Sequence, residues 1–158
     1  MKTHDPIKRL RQEHDAVLEV VDRMELAVSD LQGPRRAEAL STLRGALEFL
    51  DLEVRAHGRK EEEHLYPALA RHVPKLTIDV MLEEHRDLWW KMDSLARVLS
   101  ASPPSLNELR WQTIAVVDLL RRHIDKENDV LFMMAAQMLS DREYAELGRA
   151  FEAMKDGP

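Results

Sequence analysis

Apolar residues along the chain recur in alternating steps of three and four, the spacing that places side chains on one face of a helix. The first such series begins after Asp5 and Pro6, which supply a capping side chain and a proline for the first turn. It stops before Gly33 and Pro34, and its members are Ile7, Leu10, His14, Val17, Val21, Met24, Val28 and Leu31. The series predicts a long amphipathic helix.

Three further series of the same kind follow. They run from Leu40 to His64, from Ile78 to Leu99 and from Leu109 to Met134, separated by segments that contain proline. Between these ends lie Leu43, Leu47, Leu50, Val54, His57 and Glu61, then Met81, His85, Leu88, Met92 and Leu95, and finally Thr113, Val116, Leu120, His123, Glu127 and Val130. Three more long amphipathic helices are therefore predicted.

Two serine and glutamate pairs have the spacing of capping boxes. Ser105 lies three residues before Glu108, at the start of the fourth helix, and Ser140 lies three before Glu143. The second pair opens a short fifth helix whose apolar face consists of Tyr144, Leu147, Phe151 and Met154. We expect this face to cover one end of the protein rather than to form a dimer interface.

Four long amphipathic helices with short connections predict an all-α fold. The expected architecture is an antiparallel up-and-down four-helix bundle with a short C-terminal fifth helix. The 158 residues fit a single domain, 1–158, with the bundle at about 5–138 and the additional helix at about 141–154.

The composition limits which metal ligands, binding partners and cell compartments are expected. The chain has no cysteine, so a bound metal must be held by imidazole and carboxylate groups. A net charge of -6 argues against binding to nucleic acid or to an anionic membrane surface. The N-terminal segment lacks the apolar run of a secretory signal, and no later segment is apolar enough to span a bilayer. We expect a cytoplasmic protein.

Histidine interrupts the apolar face of each of the four predicted long helices. The four residues are His14, His57, His85 and His123, and their similar distances from the connecting turns predict one polar layer through the core. His64 also lies on a series, and we expect it at the end of the bundle without a ligand role. His4 and His72 are expected to be exposed.

A short motif, HxxKE followed by leucine and an aromatic ring, occurs twice, from His57 to Tyr66 and from His123 to Phe132. Histidine and glutamate four residues apart project from one face of a helix. The two copies are offset by 66 residues (57 and 123), and Glu13, His14 and Asp22 match Glu84, His85 and Asp93 at an offset of 71. The repeats predict a pseudo-twofold arrangement of two helix pairs.

Four imidazoles and two glutamates in one core predict a dinuclear metal centre. Without a cation, burying the two carboxylates would cost several kcal/mol. The set is too large for a closed tetrahedral zinc site. With bridging glutamates and an oxo or hydroxo bridge, each ion has two nitrogen and three oxygen ligands and lacks one for octahedral geometry. Such donors favour iron or manganese over copper(I).

Three segments, HGRKEEEHLYPAL, VMLEEHRDL and HIDKENDVLF, resemble the second, third and fourth helix signatures of the hemerythrin-like, HHE cation-binding family. The similarity extends from Ile7 to about Met138. It implies a non-haem di-iron centre in a four-helix bundle. The implied ligands are His14 and His57 on one iron, His85 and His123 on the other, and Glu61 and Glu127 as bridges.

The third helix departs from the oxygen-carrying hemerythrins, which have two histidines four residues apart there. In this chain Met81 and Trp89 stand four residues before and after His85. The set is similar to that of the repair of iron centres proteins, and it implies an open position on the second iron. Met81 either borders that position or only packs, and Trp89 either shields the centre or packs between helices.

The open position implies a protein that binds or senses O2, NO or peroxide, or that handles labile iron, as a monomer or homodimer. Two alternatives stay open. One is a di-iron enzyme that reduces NO or consumes peroxide with electrons from an external donor. The other is a structural or interaction module in which the metal only holds the bundle together.

Overall fold

The computed structural model describes residues 5–154, and all regular structure in that range is helical. The predicted all-α class is confirmed for this part of the chain, while His4 lies outside it. The helices are α1 (Pro6–Ser29), α2 (Arg36–Lys60, continued by Glu61–Leu65 and Tyr66–Leu69), α3 (Lys75–Ser100), α4 (Leu106–Lys126, continued by Glu127–Leu131 and Phe132–Met138) and α5 (Asp141–Ala153). Within residues 5–154, none of them has the length and apolar character needed to cross a membrane.

Side-chain caps begin three of these helices where the sequence predicts them. The Asp5 carboxylate accepts the backbone N–H groups of Ile7 and Lys8, both at 3.0 Å. The Ser105 hydroxyl accepts the N–H of Glu108 at 3.3 Å. At α5, the Ser140 hydroxyl accepts the N–H of Glu143, and the Glu143 carboxylate accepts the N–H of Ser140 in return. These contacts satisfy N–H groups that have no partner inside the helix.

The four long helices contact one another in a closed ring. Helix α1 packs against α2 and α4, and α3 packs against the same two helices. Their apolar faces form two clusters of buried side chains. The first contains Val17 and Leu88, and the second contains Leu10 and Leu69. On each long helix, the histidine predicted for the polar layer lies where one cluster gives way to the other.

Helix α5 covers the second of these clusters. Leu147 and Phe151 are buried in it beside Ile7, and the Tyr144 hydroxyl donates a hydrogen bond to Asp5 at 2.5 Å. The apolar face of α5 is therefore buried mainly against its own chain, as expected for an end cap.

Both α2 and α4 contain a π-helical turn, and each turn begins at a glutamate of the repeated motif. A π-helical turn holds more residues than an α-helical one, so the side chains that follow are rotated relative to a regular helix. Leu65 and Leu131 are consequently buried, whereas His64 is only partly buried and Val130 is 43% exposed. The prediction that Val130 continues the buried face is wrong, because it assumed α-helical spacing beyond Glu127.

Candidate metal centre

The structure brings the six predicted ligands into one buried cluster. None of them exposes more than 7% of its surface. Helix α1 contributes His14 and α3 contributes His85, while α2 and α4 each contribute a histidine and the glutamate one turn later, namely His57 with Glu61 and His123 with Glu127.

Their potential ligand atoms form two overlapping groups, and within each group all these atoms lie within 4.8 Å of one another. The first group contains His14 and His57, and the second group contains His85 and His123. Glu61 and Glu127 belong to both. This division agrees with the one implied by the resemblance.

The oxygens of Glu61 point in two directions. Its Oε1 lies 2.8 Å from Nε2 of His57, and its Oε2 lies 3.2 Å from Nε2 of His85. Glu61 therefore presents one oxygen to each group. In Glu127, Oε1 lies 2.9 Å from Nε2 of His123 and 3.4 Å from Nε2 of His14.

Three atoms in this cluster are buried without a hydrogen-bond partner among the described residues. They are Nε2 of His57, Oε1 of Glu61 and Oε1 of Glu127. Nε2 of His57 lies near Oε1 of Glu61, but the contact does not have hydrogen-bond geometry. Leaving buried polar atoms unpaired costs about 1–3 kcal/mol for each group. A cation between the two groups would satisfy all three atoms, so the residues fit a metal.

Each of the four histidines has a hydrogen-bond partner for its Nδ1 atom. The pairs are His57 with Glu13 at 2.7 Å, His123 with Glu84 at 2.8 Å, His85 with Glu62 at 2.6 Å and His14 with the side-chain oxygen of Asn128 at 2.8 Å. Carboxylate and amide oxygens only accept, so Nδ1 must carry the proton and donate. This leaves Nε2 of every imidazole available to a metal.

Glu13 and Glu84 are held ionised by these contacts. Burial alone would raise the pKa of Glu13, but hydrogen bonds from His57 and Lys60 lower it to about 2. The hydrogen bond from His123 lowers the pKa of Glu84, and burial opposes this effect. A further hydrogen bond from Lys126 also lowers it, and the pKa falls to about 2 as well. These two glutamates match each other in the sequence repeat, but the repeat alone predicts no role for them.

In the metal-free protein two of the histidines carry positive charge. Burial would lower the pKa of His57, but the negative charge of Glu61 raises it to about 10. Burial would likewise lower the pKa of His123, but the negative charge of Glu127 raises it to about 10 as well. At neutral pH these two imidazoles are therefore protonated. A metal ion would replace the protons, so binding would release them.

Tyr66 lies at the centre although its place in the sequence predicts no role for its hydroxyl. Its hydroxyl donates a hydrogen bond to Oε2 of Glu127 at 3.1 Å and lies 3.3 Å from Oε2 of Glu61 and 3.4 Å from Nε2 of His85. Burial and the charges of the two glutamates raise the pKa of Tyr66 well above its ordinary value, so the group stays protonated. Its signal in the sequence was the aromatic ring that ends each motif.

Trp89 covers one side of the second group. Its ring centroid lies 5.5 Å from that of His85. Gly58 permits this approach, because a Cβ atom there would lie 2.9 Å from Cζ2 of Trp89. The indole borders a cavity of about 20 Å³ among the four histidines, which is room for about one water-sized molecule. Trp89 thus packs against Gly58 of the neighbouring helix and also borders the cavity, so both roles considered for it stay open.

The other singled-out residues lie outside both ligand groups. Met81 is buried in the apolar cluster that contains Tyr66, and its bordering of an open position stays a prediction. The His64 ring packs edge-on against Phe151, with centroids 6.3 Å apart. His72 is exposed, as expected, and its Nε2 lies 3.0 Å from the Glu143 carboxylate.

Comparison with known proteins adds one finding. The family model described as the hemerythrin HHE cation binding domain matches residues 5–135, a range that includes all six clustered residues and most of the four long helices. No curated protein matches the chain.

Proposed function

Because the chain belongs to the hemerythrin HHE cation-binding family, we propose that its six clustered residues hold two iron ions. His14 and His57 bind one ion, His85 and His123 bind the other, and the two glutamates bridge them. The observation that carries this proposal is the overlap of the two ligand groups at Glu61 and Glu127. The buried atoms without partners add support, because two cations would satisfy them.

The proposal extends to the arrangement of the helices, an antiparallel up-and-down four-helix bundle. Along α1 and α3 the residues of the second apolar cluster precede the histidine and those of the first follow it, whereas along α2 and α4 the order is reversed, apart from Ile124 of the first cluster, which directly follows His123. Opposite orders on successive helices are what alternating directions produce. Each helix then delivers its histidine to the same layer.

The proposed activity is binding or sensing of O2, NO or peroxide, or handling of labile iron. Two imidazoles and the two shared glutamates would hold each ion, and these protein groups would leave room for a further small ligand. When bound, iron supplies Lewis acidity and reversible one-electron chemistry. The cavity of about 20 Å³ among the four histidines has room for about one water-sized molecule, so any ligand admitted there must be small. The apolar wall of the cavity comes from Val17, Val54, Leu88, Leu120 and Ile124.

Metal analysis of protein produced with iron, together with its optical spectrum, tests the centre. We expect two irons per chain and an oxo-bridge band. Glu127→Gln should abolish the band. His64→Ala removes a histidine outside both ligand groups and should keep it. One zinc per chain that survives Glu127→Gln would overturn the proposal.

Ligand binding needs a separate measurement. Anaerobic diferrous protein mixed with O2 or NO in a stopped-flow instrument should develop a ligand-dependent absorption band. Two irons without any such band would favour a structural role for the metal. Steady turnover above that of a metal-free control would favour an enzyme instead.

A further inference from the structure

Contacts on one side of the centre are repeated on the other. Glu13 contacts His57 as Glu84 contacts His123, and the imidazole rings of each group lie at similar separations, 4.6 Å in the first and 4.8 Å in the second. Outside the centre, Arg121 contacts Asp22 and Arg55 contacts Asp93, both at 2.8 Å. This pseudo-twofold match makes any difference between equivalent positions informative.

Tyr66 and Phe132 occupy equivalent positions and contact the two groups differently. Phe132 stacks on His14 in the first group, with ring centroids 5.1 Å apart and planes 12° apart. Tyr66 lies beside His85 in the second group at 5.6 Å, tilted by 34°. A phenyl ring has no hydrogen-bond donor, whereas the tyrosine brings a hydroxyl to the metal side of its histidine.

The position of that hydroxyl assigns it to the second group. It lies 3.4 Å from Nε2 of His85, the nitrogen that faces a metal, and 3.3 Å from Oε2 of Glu61, the oxygen directed at His85. Its third neighbour is Oε2 of Glu127 at 3.1 Å. A single O–H thus faces three acceptors, so rotation about its C–O bond can redirect it to a new acceptor without movement of the ring.

We propose that a small exogenous ligand binds at the ion held by His85 and His123, and that Tyr66 orients it by donating a hydrogen bond. This inference rests on the proposed di-iron centre. The ligand class is a molecule of two or three atoms that carries negative charge or gains it on binding, because such an atom accepts strongly from a buried hydroxyl. The ion of the first group has Phe132 in the equivalent place and offers no such donor.

Azide titration of the oxidised two-iron protein tests the inference, with Tyr66→Phe as the variant. Losing a hydrogen bond to a charged acceptor should weaken azide binding by about tenfold or more, with the iron content unchanged. Tyr144→Phe is the matched control. It removes the other described tyrosine hydroxyl, which contacts Asp5, and should bind azide as the unaltered protein does.

Equal azide affinity in Tyr66→Phe and the unaltered protein, both with two irons, would overturn this inference alone. So would the absence of any azide band in the unaltered two-iron protein. A visible tyrosinate charge-transfer band that disappears in Tyr66→Phe would make Tyr66 a ligand and would also overturn it. Fewer than two irons in the unaltered protein would defeat the di-iron proposal and this inference with it.

Discussion

The first and second ligand groups share one design and differ in their surroundings. Both have a histidine whose Nδ1 donates to a glutamate, and that glutamate also accepts from a lysine, Lys60 in one case and Lys126 in the other. The remaining histidines differ. The partner of His14 is the neutral Asn128, whereas the partner of His85 is the carboxylate of Glu62.

The two groups also differ in the aromatic side chains beside their histidines. The second group has the hydroxyl of Tyr66 and the indole of Trp89, where the first group has Phe132 stacked on His14. The glutamate and lysine contacts of His57 and His123 are thus repeated, whereas the partners of His14 and His85 and the rings beside them are not. The comparison teaches that a symmetric set of potential ligands can be given two unequal sets of surroundings by its neighbours.

The largest effect should come from removing one histidine of each group in turn. His57→Ala and His123→Ala each take away one imidazole, so each should leave at most one iron per chain and lose the bridged spectrum. Iron analysis and circular dichroism of the same samples would separate metal loss from unfolding. If either variant retains two irons, the assignment of these histidines to separate ions is wrong.

A smaller effect should come from exchanging the partners of the Nδ1 atoms. A carboxylate partner makes an imidazole a stronger ligand, and loss of such a partner typically costs about 10–100-fold in metal affinity. Glu62→Gln should therefore weaken one of the two binding steps, and Asn128→Asp should strengthen the other. Titration with Co²⁺ against a chelator would measure both steps.

Glu63→Gln is the matched control for charge. Glu63 is exposed and pairs with Arg59 rather than with a histidine, so its replacement should leave both binding steps unchanged. If Glu63→Gln and Glu62→Gln have the same effect, the difference between the groups reflects general charge and not the contact with His85.

The contact between Gly58 and Trp89 gives a stability test. In Gly58→Ala the new methyl group would meet Trp89 at 2.9 Å, so the indole must shift, at a cost of about 1–3 kcal/mol. Alanine recovers about 1 kcal/mol through its higher helix propensity. Urea unfolding should show a net loss of stability in Gly58→Ala. The loss should be smaller when Gly58→Ala is combined with Trp89→Phe. A more stable Gly58→Ala protein would show that the indole moves freely.

The smallest effect concerns acid stability of the metal-free protein. Glu13 and Glu84 have a pKa of about 2 when folded, below the ordinary value of 4.5. Their contribution to stability is therefore present above pH 4.5 and is lost as the pH falls through about 2. Glu13→Gln and Glu84→Gln should each destabilise the protein at neutral pH, and the gap from the unaltered protein should close in acid.

Acid unfolding followed by circular dichroism at several pH values would measure this gap. The two variants should behave alike, because their contacts match across the pseudo-twofold relation. A gap that stays constant from pH 7 to pH 2 would contradict the role of either carboxylate as an ionised partner.

Several features could be read from the sequence because they depend on neighbours within one helix. The caps at Asp5 and Ser140 and the pairing of His57 with Glu61 arise from residues two to four positions apart. The choice of the six clustered residues also followed from the sequence. Polar groups on apolar faces are unfavourable unless they meet one another or a cation.

Only the tertiary structure determined how these groups meet. The π-helical turns at Glu61 and Glu127 place Tyr66 and Phe132, five residues later, on the buried face, where regular α-helical spacing places residues three or four apart. The Tyr66 hydroxyl, the partners of the Nδ1 atoms and the fit of Trp89 over Gly58 depend on which helices pack together. They join residues far apart in the chain, and side-chain packing across helices carries no periodic signal along it.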